Sequence, residues 1–238
     1  EIGVRLVGSE MCIRDSIYIN PQVWSILADV VPEDRLDAVL TAIDKMDKKY
    51  GIQLCEPAYP HYDSHVGRMS GMLPGLFENG GVYNHCNAFK IMADCRLGRA
   101  EQALSTLHKM IPDSKDNPVS ITGAEPYLFV NCWCMHPSFF TRIWFGWFTG
   151  TSAWALRGFY EGICGLRREY GGLRVQPCIP GAWKELTLTR TFRGCRYHIH
   201  ISNTGSGKPE VTVDGNRLAD TLLPVLNDGQ IHEVVVRT

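Results

Sequence analysis

The chain has 238 residues, 45% of them hydrophobic and 21% charged, and a formal net charge of −1. This suits one large globular domain or two smaller ones and gives no electrostatic reason to expect nucleic acid or an anionic membrane as a partner. No apolar run reaches the length of a membrane span; the richest, Ile143 to Leu156, is interrupted by Gly146, Thr149, Gly150, Thr151 and Ser152.

The nine cysteines are odd in number and scattered, and Cys95 and Cys164 fall inside apolar helical patterns. Reduced, buried thiols in a cytoplasmic protein account for this better than a disulfide framework. The opening Glu1-Ile2-Gly3-Val4-Arg5-Leu6 is too short and interrupted for a signal peptide. Residues 1–16 show no clean period, and Val7 to Ser16 resembles a translated sequencing adapter. They are set apart as foreign or disordered.

Asn20-Pro21 opens a short helix carrying Trp24, Ile26 and Leu27, with Asn as cap and Pro at the first helical position. Pro32-Glu33-Asp34 starts the next, where Leu36, Val39, Leu40, Ile43 and Met46 recur at helical spacing and Gly51 is expected to close it. Residues 55–78 read as a long loop rich in aromatic and ionisable side chains, among them Glu56, Tyr59, His61, Tyr62, Asp63 and His65. Loops of this length usually carry function or are disordered; this content argues for function. Ala88, Phe89, Met92, Ala93 and Leu97 then form one helical face, Gly98 caps it, and Ala103, Leu104, Leu107 and Met110 mark its antiparallel partner. After a second long loop (111–126), a mostly apolar helix is expected from Leu128 to about Met135. Another runs from Thr149-Gly150-Thr151-Ser152 to Gly165. Near Tyr170 the pattern changes to period two, as at Leu186 and Leu188 and at Tyr197, Ile199 and Ile201, with Asp214-Gly215 as a two-residue hairpin turn. The organisation is α+β and multidomain: 17–168 helical with long loops, 169–238 an antiparallel β unit.

Two stretches carry the chemistry. Glu78-Asn79-Gly80-Gly81-Val82-Tyr83-Asn84-His85 puts a carboxylate, permissive backbone and an imidazole at a helix start. By itself it reads more readily as a loop capping a buried helix. Trp147-Phe148-Thr149-Gly150-Thr151 offers hydroxyls and a glycine where a helix begins, which simple capping also explains. The loop carboxylates Glu56, Asp63, Glu78 and Glu125 can each bind sugar hydroxyls or act as acid or base. Cys132-Trp133-Cys134-Met135-His136 lacks structural-zinc spacing and has no second cluster to pair with, so no metal is assigned.

The order of the motifs is more specific than any one of them. Ile19-Asn20-Pro21-Gln22-x-Trp24, Pro74-Gly75 through Glu78-Asn79-Gly80-Gly81 to His85, Glu125-Pro126-Tyr127, Trp147-Phe148-Thr149-Gly150-Thr151-x-Ala153-Trp154 and Gly172-Leu173-Arg174-Val175-x-Pro177 stand in sequence. This order resembles the C-terminal part of the inverting glycoside phosphorylases acting on cellobiose, N,N'-diacetylchitobiose and cellobionic acid, over about residues 17–238. The resemblance implies the second half of an (α/α)6 barrel in 17–168 and a C-terminal β-sandwich of jelly-roll type in 169–238. It implies a β-linked disaccharide and inorganic phosphate as co-substrates, no cofactor, and a homodimer when full length. By the same resemblance His85, Thr149 and Gly150 bind phosphate; of the loop carboxylates, Glu78 and Glu125 are expected to contact sugar hydroxyls. The general acid is an Asp upstream, so the chain alone is expected to be inactive. Phe77 stands where cellobiose-acting members tend to carry Lys, which leaves the acceptor open among chitobiose, cellobionate and cellobiose types. Two other readings compete: a glucoamylase-like inverting hydrolase with a paired carboxylate base, and a non-catalytic carbohydrate-binding protein using the β unit.

Overall fold

A computed structural model describes residues 16–238 apart from Asp113, Asp116, residues 140–142 and Phe148. The segment set apart at the start, apart from Ser16, lies outside the described residues, as do Cys12, Phe140 and Phe148. The chain divides into two compact units. One holds the described residues up to Leu97 together with Gln102–Leu156; the other holds Gly98–Glu101 and Arg157–Thr238.

In the first unit, α1 (Ile19–Leu27) and α2 (Leu36–Met46) pack their apolar faces with Ile52, Leu54, Cys86 and Ala93 into one core. The Asn20-Pro21 pair falls just inside α1, whose cap position is Tyr18. The second helix stops at Met46, earlier than Gly51. Ile17–Tyr18 (β1) pairs with Cys55–Glu56 (β4), and between them Asp47–Lys48 (β2) turns back on Gly51–Ile52 (β3); Gly51, at φ 128, sits where a Cβ would come within 2.7 Å of the Asn87 side-chain oxygen. Gly51 thus serves a close approach and not a helix cap.

Helix α3 (Asn84–Arg96) ends at Gly98 as expected, and α4 (Ala100–Met110) follows. The polar side of α3 is not a solvent face: Asn84, Asn87, Lys90 and Asp94 are all buried. Asn87 bonds both backbone groups of Ile52, while Lys90 Nζ reaches Asp94 Oδ2 at 2.6 Å and Thr106 Oγ1 at 2.9 Å. The helix expected from Leu128 to Met135 is absent. Cys132–Trp133 (β6) is instead the middle of a three-stranded sheet with Val82–Tyr83 (β5) and Ile143–Trp144 (β7). A short apolar run does not reveal its period, and here Trp133 is fully buried with Val82, Ala124, Leu128 and Val130 around it.

A last helix, α6 (Thr151–Arg157, after the one-turn α5, Val119–Thr122), continues as a wider π-type turn over Gly158–Ile163 before the stop at Gly165. In the second unit Glu185–Phe192 (β10), Cys195–Ser202 (β11), Glu210–Val213 (β12), Asn216–Arg217 (β13) and Ile231–Arg237 (β15) form one sheet in the order β10-β11-β15-β12-β13. Leu222–Leu223 (β14) joins Leu166–Arg168 (β8) and Leu173–Val175 (β9) in another. Period two holds: Cys195, Tyr197, Ile199 and Ile201 are buried, as are Val211, Val213, Val234 and Val236. The pair β11–β15 is parallel, against the antiparallel expectation, whereas β10–β11 and β12–β15 are antiparallel. A parallel pair needs a long crossover, and the segment between these strands, which carries β12, β13 and β14, supplies it. Among the described residues no helix is long and apolar enough to cross a membrane.

Candidate functional site: an imidazole against a threonine-glycine turn

The Glu78–His85 stretch folds as a tight turn feeding β5. Asn79 is fully buried and fully used: its side-chain oxygen accepts from Tyr59 N–H at 2.7 Å, and its amide donates to Tyr59 O at 2.9 Å and Met72 O at 2.7 Å. At Gly81 a Cβ would lie 2.5 Å from Phe77 O, so the turn closes on its own backbone. Phe77 packs on Trp144 and Phe145 with ring centroids 5.1 and 5.8 Å away.

From this turn β5 delivers His85 into the first turn of α3. The neighbouring Asn84 donates its N–H to Asn131 O at 2.9 Å and its side-chain amide to Val130 O at 2.9 Å. Asn131 in turn accepts the Thr149 hydroxyl at 2.9 Å. Thr149 Oγ1 also accepts the Thr151 N–H at 3.0 Å and lies 2.7 Å from the Thr151 hydroxyl. The result sets Gly150 directly against the imidazole: a Cβ there would stand 2.7 Å from His85 Nε2. His85 stacks on Tyr83 (5.8 Å between centroids, 29°) and lies near Phe89. Burial pushes its pKa below the ordinary histidine value, and its Nδ1 is buried without a hydrogen-bond partner among the described residues. A half-buried imidazole with an unpartnered Nδ1, set against the glycine that follows Thr149, is a candidate site for a hydrogen-bonding or anionic ligand.

Three of the five expected site residues therefore come together, His85, Thr149 and Gly150. Glu78 and Glu125 are partly buried. Cys55 donates its thiol to Glu78 O at 3.6 Å. Glu125 Oε2 lies beside Gly146, 3.7 Å from where a Cβ would be. No hydrogen bond or ion pair among the described residues joins either carboxylate to the His85 group. Sequence reasoning missed Asn131, which holds the two halves of the site in register; its only signal is its place next to Cys132-Trp133. Cys132 and Cys134 are buried thiols, the latter pushed up to about 11 by burial, and among the described residues no group of three His, Cys, Asp or Glu encloses a metal position.

Residues 3–165 match the glycosyl hydrolase 94 superfamily catalytic domain, and residues 166–207 match the glycosyl hydrolase family 65 C-terminal domain. The chain belongs to the glycosyl hydrolase 94 superfamily. It is 36% identical to a solabiose phosphorylase of Paenibacillus borealis over 97% of this chain and 31% of that protein. It is 34% identical to a 3-O-beta-D-glucopyranosyl-beta-D-glucuronide phosphorylase of the same organism over 97% of this chain and 30% of that protein. A cellobionic acid phosphorylase of Neurospora crassa is also 34% identical, over 92% of this chain and 29% of that protein. The chain thus spans about a third of the length of the curated relatives it matches.

Proposed function

We propose that the chain is the phosphate-binding part of an inverting disaccharide phosphorylase, a glycosyl-transferring enzyme that cleaves a β-linked disaccharide with inorganic phosphate. A phosphate oxygen bonds to the anomeric carbon as the glycosidic C–O bond breaks. The departing oxygen takes a proton from an Asp that this chain does not supply, and the products are a sugar 1-phosphate of inverted configuration and a free sugar. Phosphate is already an anionic nucleophile. It needs no carboxylate base of the kind that inverting hydrolysis uses, only donors that hold it in line. His85 and Thr149 are those donors, and Gly150, lacking a Cβ, lets the backbone after Thr149 come against the imidazole. Glu78 and Glu125 are assigned to sugar hydroxyls. The juxtaposition of His85 with Gly150 is the observation that carries this reading, and the phosphorylase names of the relatives agree with it.

In the same proposal the helical part is half of an (α/α)6 barrel, the β unit is a jelly-roll sandwich, and the full-length enzyme is a cytoplasmic homodimer using no cofactor. An odd number of scattered cysteines, several of them buried, fits a reducing compartment. The carbohydrate-binding reading is weakened by the β unit, where Phe192 and Tyr197 are buried and withheld from any ligand. In the intact enzyme, His85→Ala should lower kcat/KM for phosphate by about 10²–10³-fold, the usual cost of one lost transition-state donor. Unchanged phosphorolysis and unchanged phosphate affinity would refute the assignment, and sugar release without phosphate would favour the hydrolase.

A further inference from the structure

The loop at 55–78 was singled out for its aromatic and ionisable content, and the phosphate site leaves most of it unused. Part of it walls a cleft of ≈ 660 Å³, lined by residues 57–65 together with Ser16. That volume lies within the roughly 300–1,000 Å³ of small-molecule sites. We propose that this cleft is a saccharide site that takes a neutral sugar and rejects an aldonic or uronic acid. The proposal rests on the disaccharide reading above and deepens it by naming the charge class of the sugar.

The walls are built and held. Tyr59 is clamped on both backbone groups by Asn79, the residue following Glu78, at 2.7 and 2.9 Å. Ser70 Oγ accepts from Asp63 N–H at 2.8 Å. Tyr62 is 67% exposed, and its ring rests on Gly71, whose absent Cβ would lie 3.3 Å from Cδ2. It can thus offer apolar area to the C–H face of a sugar, while His61, His65 and Asp63 offer donors and acceptors to hydroxyls.

The charge of the cleft decides the ligand class. None of its described lining residues is Lys or Arg. Asp63 Oδ1 accepts the His65 N–H at 2.8 Å and faces His65 Nδ1 at 3.2 Å. These bonds hold its carboxyl below the usual carboxylate range, so it stays ionised. A sugar carboxylate entering here meets a fixed negative charge and no permanent cation, a repulsive element of the kind that creates specificity.

The test titrates the intact enzyme, without phosphate, with cellobiose, N,N'-diacetylchitobiose and cellobionate by calorimetry near neutral pH. At least one neutral disaccharide should bind at least about tenfold more tightly than cellobionate. Tyr62→Ala should weaken that neutral sugar by a similar factor, with circular dichroism confirming the fold. Ser64→Lys, at an exposed lining position, should raise cellobionate affinity and provides a second reading if Tyr62→Ala unfolds. Absence of neutral-sugar binding, equal affinity for cellobionate, or indifference to both substitutions overturns the proposal. Inorganic phosphate titrated into the same enzyme separates the two readings: no phosphate binding with sugar binding intact sinks the phosphate cradle and leaves the cleft standing.

Discussion

At the scale of the residue, the feature of His85 that bears on the proposed site is its unsatisfied Nδ1. An imidazole packed against Tyr83 and approached by Gly150 loses water without gaining a partner at Nδ1, so its charged form is disfavoured. Its depressed pKa gives stability that is present above the unfolded value of 6.5 and lost as pH falls through the lowered folded value. On the proposed reading, a bound phosphate would reverse that preference by pairing with the imidazolium. In an NMR titration His85 should titrate below 6.5 without phosphate and move upward when phosphate is added; a value indifferent to phosphate would remove His85 from the site. Gly150→Ala tests the same geometry from the other side. A Cβ placed 2.7 Å from Nε2 must displace the ring, and phosphate affinity should fall about tenfold or more, since a misplacement of ~1 Å costs up to 10²-fold. Thr149 is satisfied in a different way. Its oxygen is engaged by Asn131 and Thr151, so donating to phosphate requires it to leave the Asn131 side chain.

At the scale of the element, the buried Lys90–Asp94 pair shows what holds α3 to α4. Both side chains are 3% exposed, and Thr106 of α4 completes the network. Lys90→Met alone breaks this buried pair from one side and should destabilise the first unit by about 3–5 kcal/mol, whereas Lys90→Met with Asp94→Leu should restore part of the loss. Denaturant unfolding measures both, and equal effects of the single and double variants would show that the pair is not coupled. The β unit carries its own charged clamp. His232 Nδ1 lies 2.7 Å from Asp214 and Nε2 3.1 Å from Asp228, which ties the β12–β13 turn to the loop before β15. Asp214 and then Asp228 raise the His232 pKa, and His232 helps to lower theirs. The histidine contribution is complete below 6.5 and lost as pH rises through its raised value; the carboxylate contribution is present above 3.8 and lost as pH falls through their lowered values. The stability gap between the native chain and His232→Gln should therefore be widest between these limits and shrink toward alkaline pH in thermal melts; a constant gap would rule the clamp out. Elements of this kind differ in how well they can be read from sequence. Gly98 and Asp214-Gly215 are legible because a positive φ is a local demand. The polar face of α3 is not, because Asn87 and Lys90 find their partners in Ile52 and Thr106, far along the chain.

At the scale of the whole molecule, the site is legible as a set of residues and illegible as a place. His85 and Thr149 meet through the pairing of β5, β6 and β7 and through the bonds of Asn131, and the central strand of that sheet is the run that reads as helix. Tertiary pairing overrides local pattern there, so only the ordered motifs foretold the meeting. The same scale governs solution behaviour. In the first unit Trp24 is 43% exposed and packs with Phe89 and Trp154, while Trp147, at 66%, pairs with Tyr127. Phe145 and Leu156 add further exposed apolar area. Apolar clusters of this kind on a soluble surface drive association or mark a surface that another part covers. The 238-residue chain should self-associate with rising concentration and bind a hydrophobic dye, and Trp24→Glu with Trp147→Glu should shift it toward the monomer in light scattering coupled to gel filtration. Since both side chains are exposed and neither belongs to the buried cores, the double variant should keep its fold by circular dichroism. A native chain that stays monomeric at high concentration and ignores the dye would show that these aromatics are covered within the chain itself.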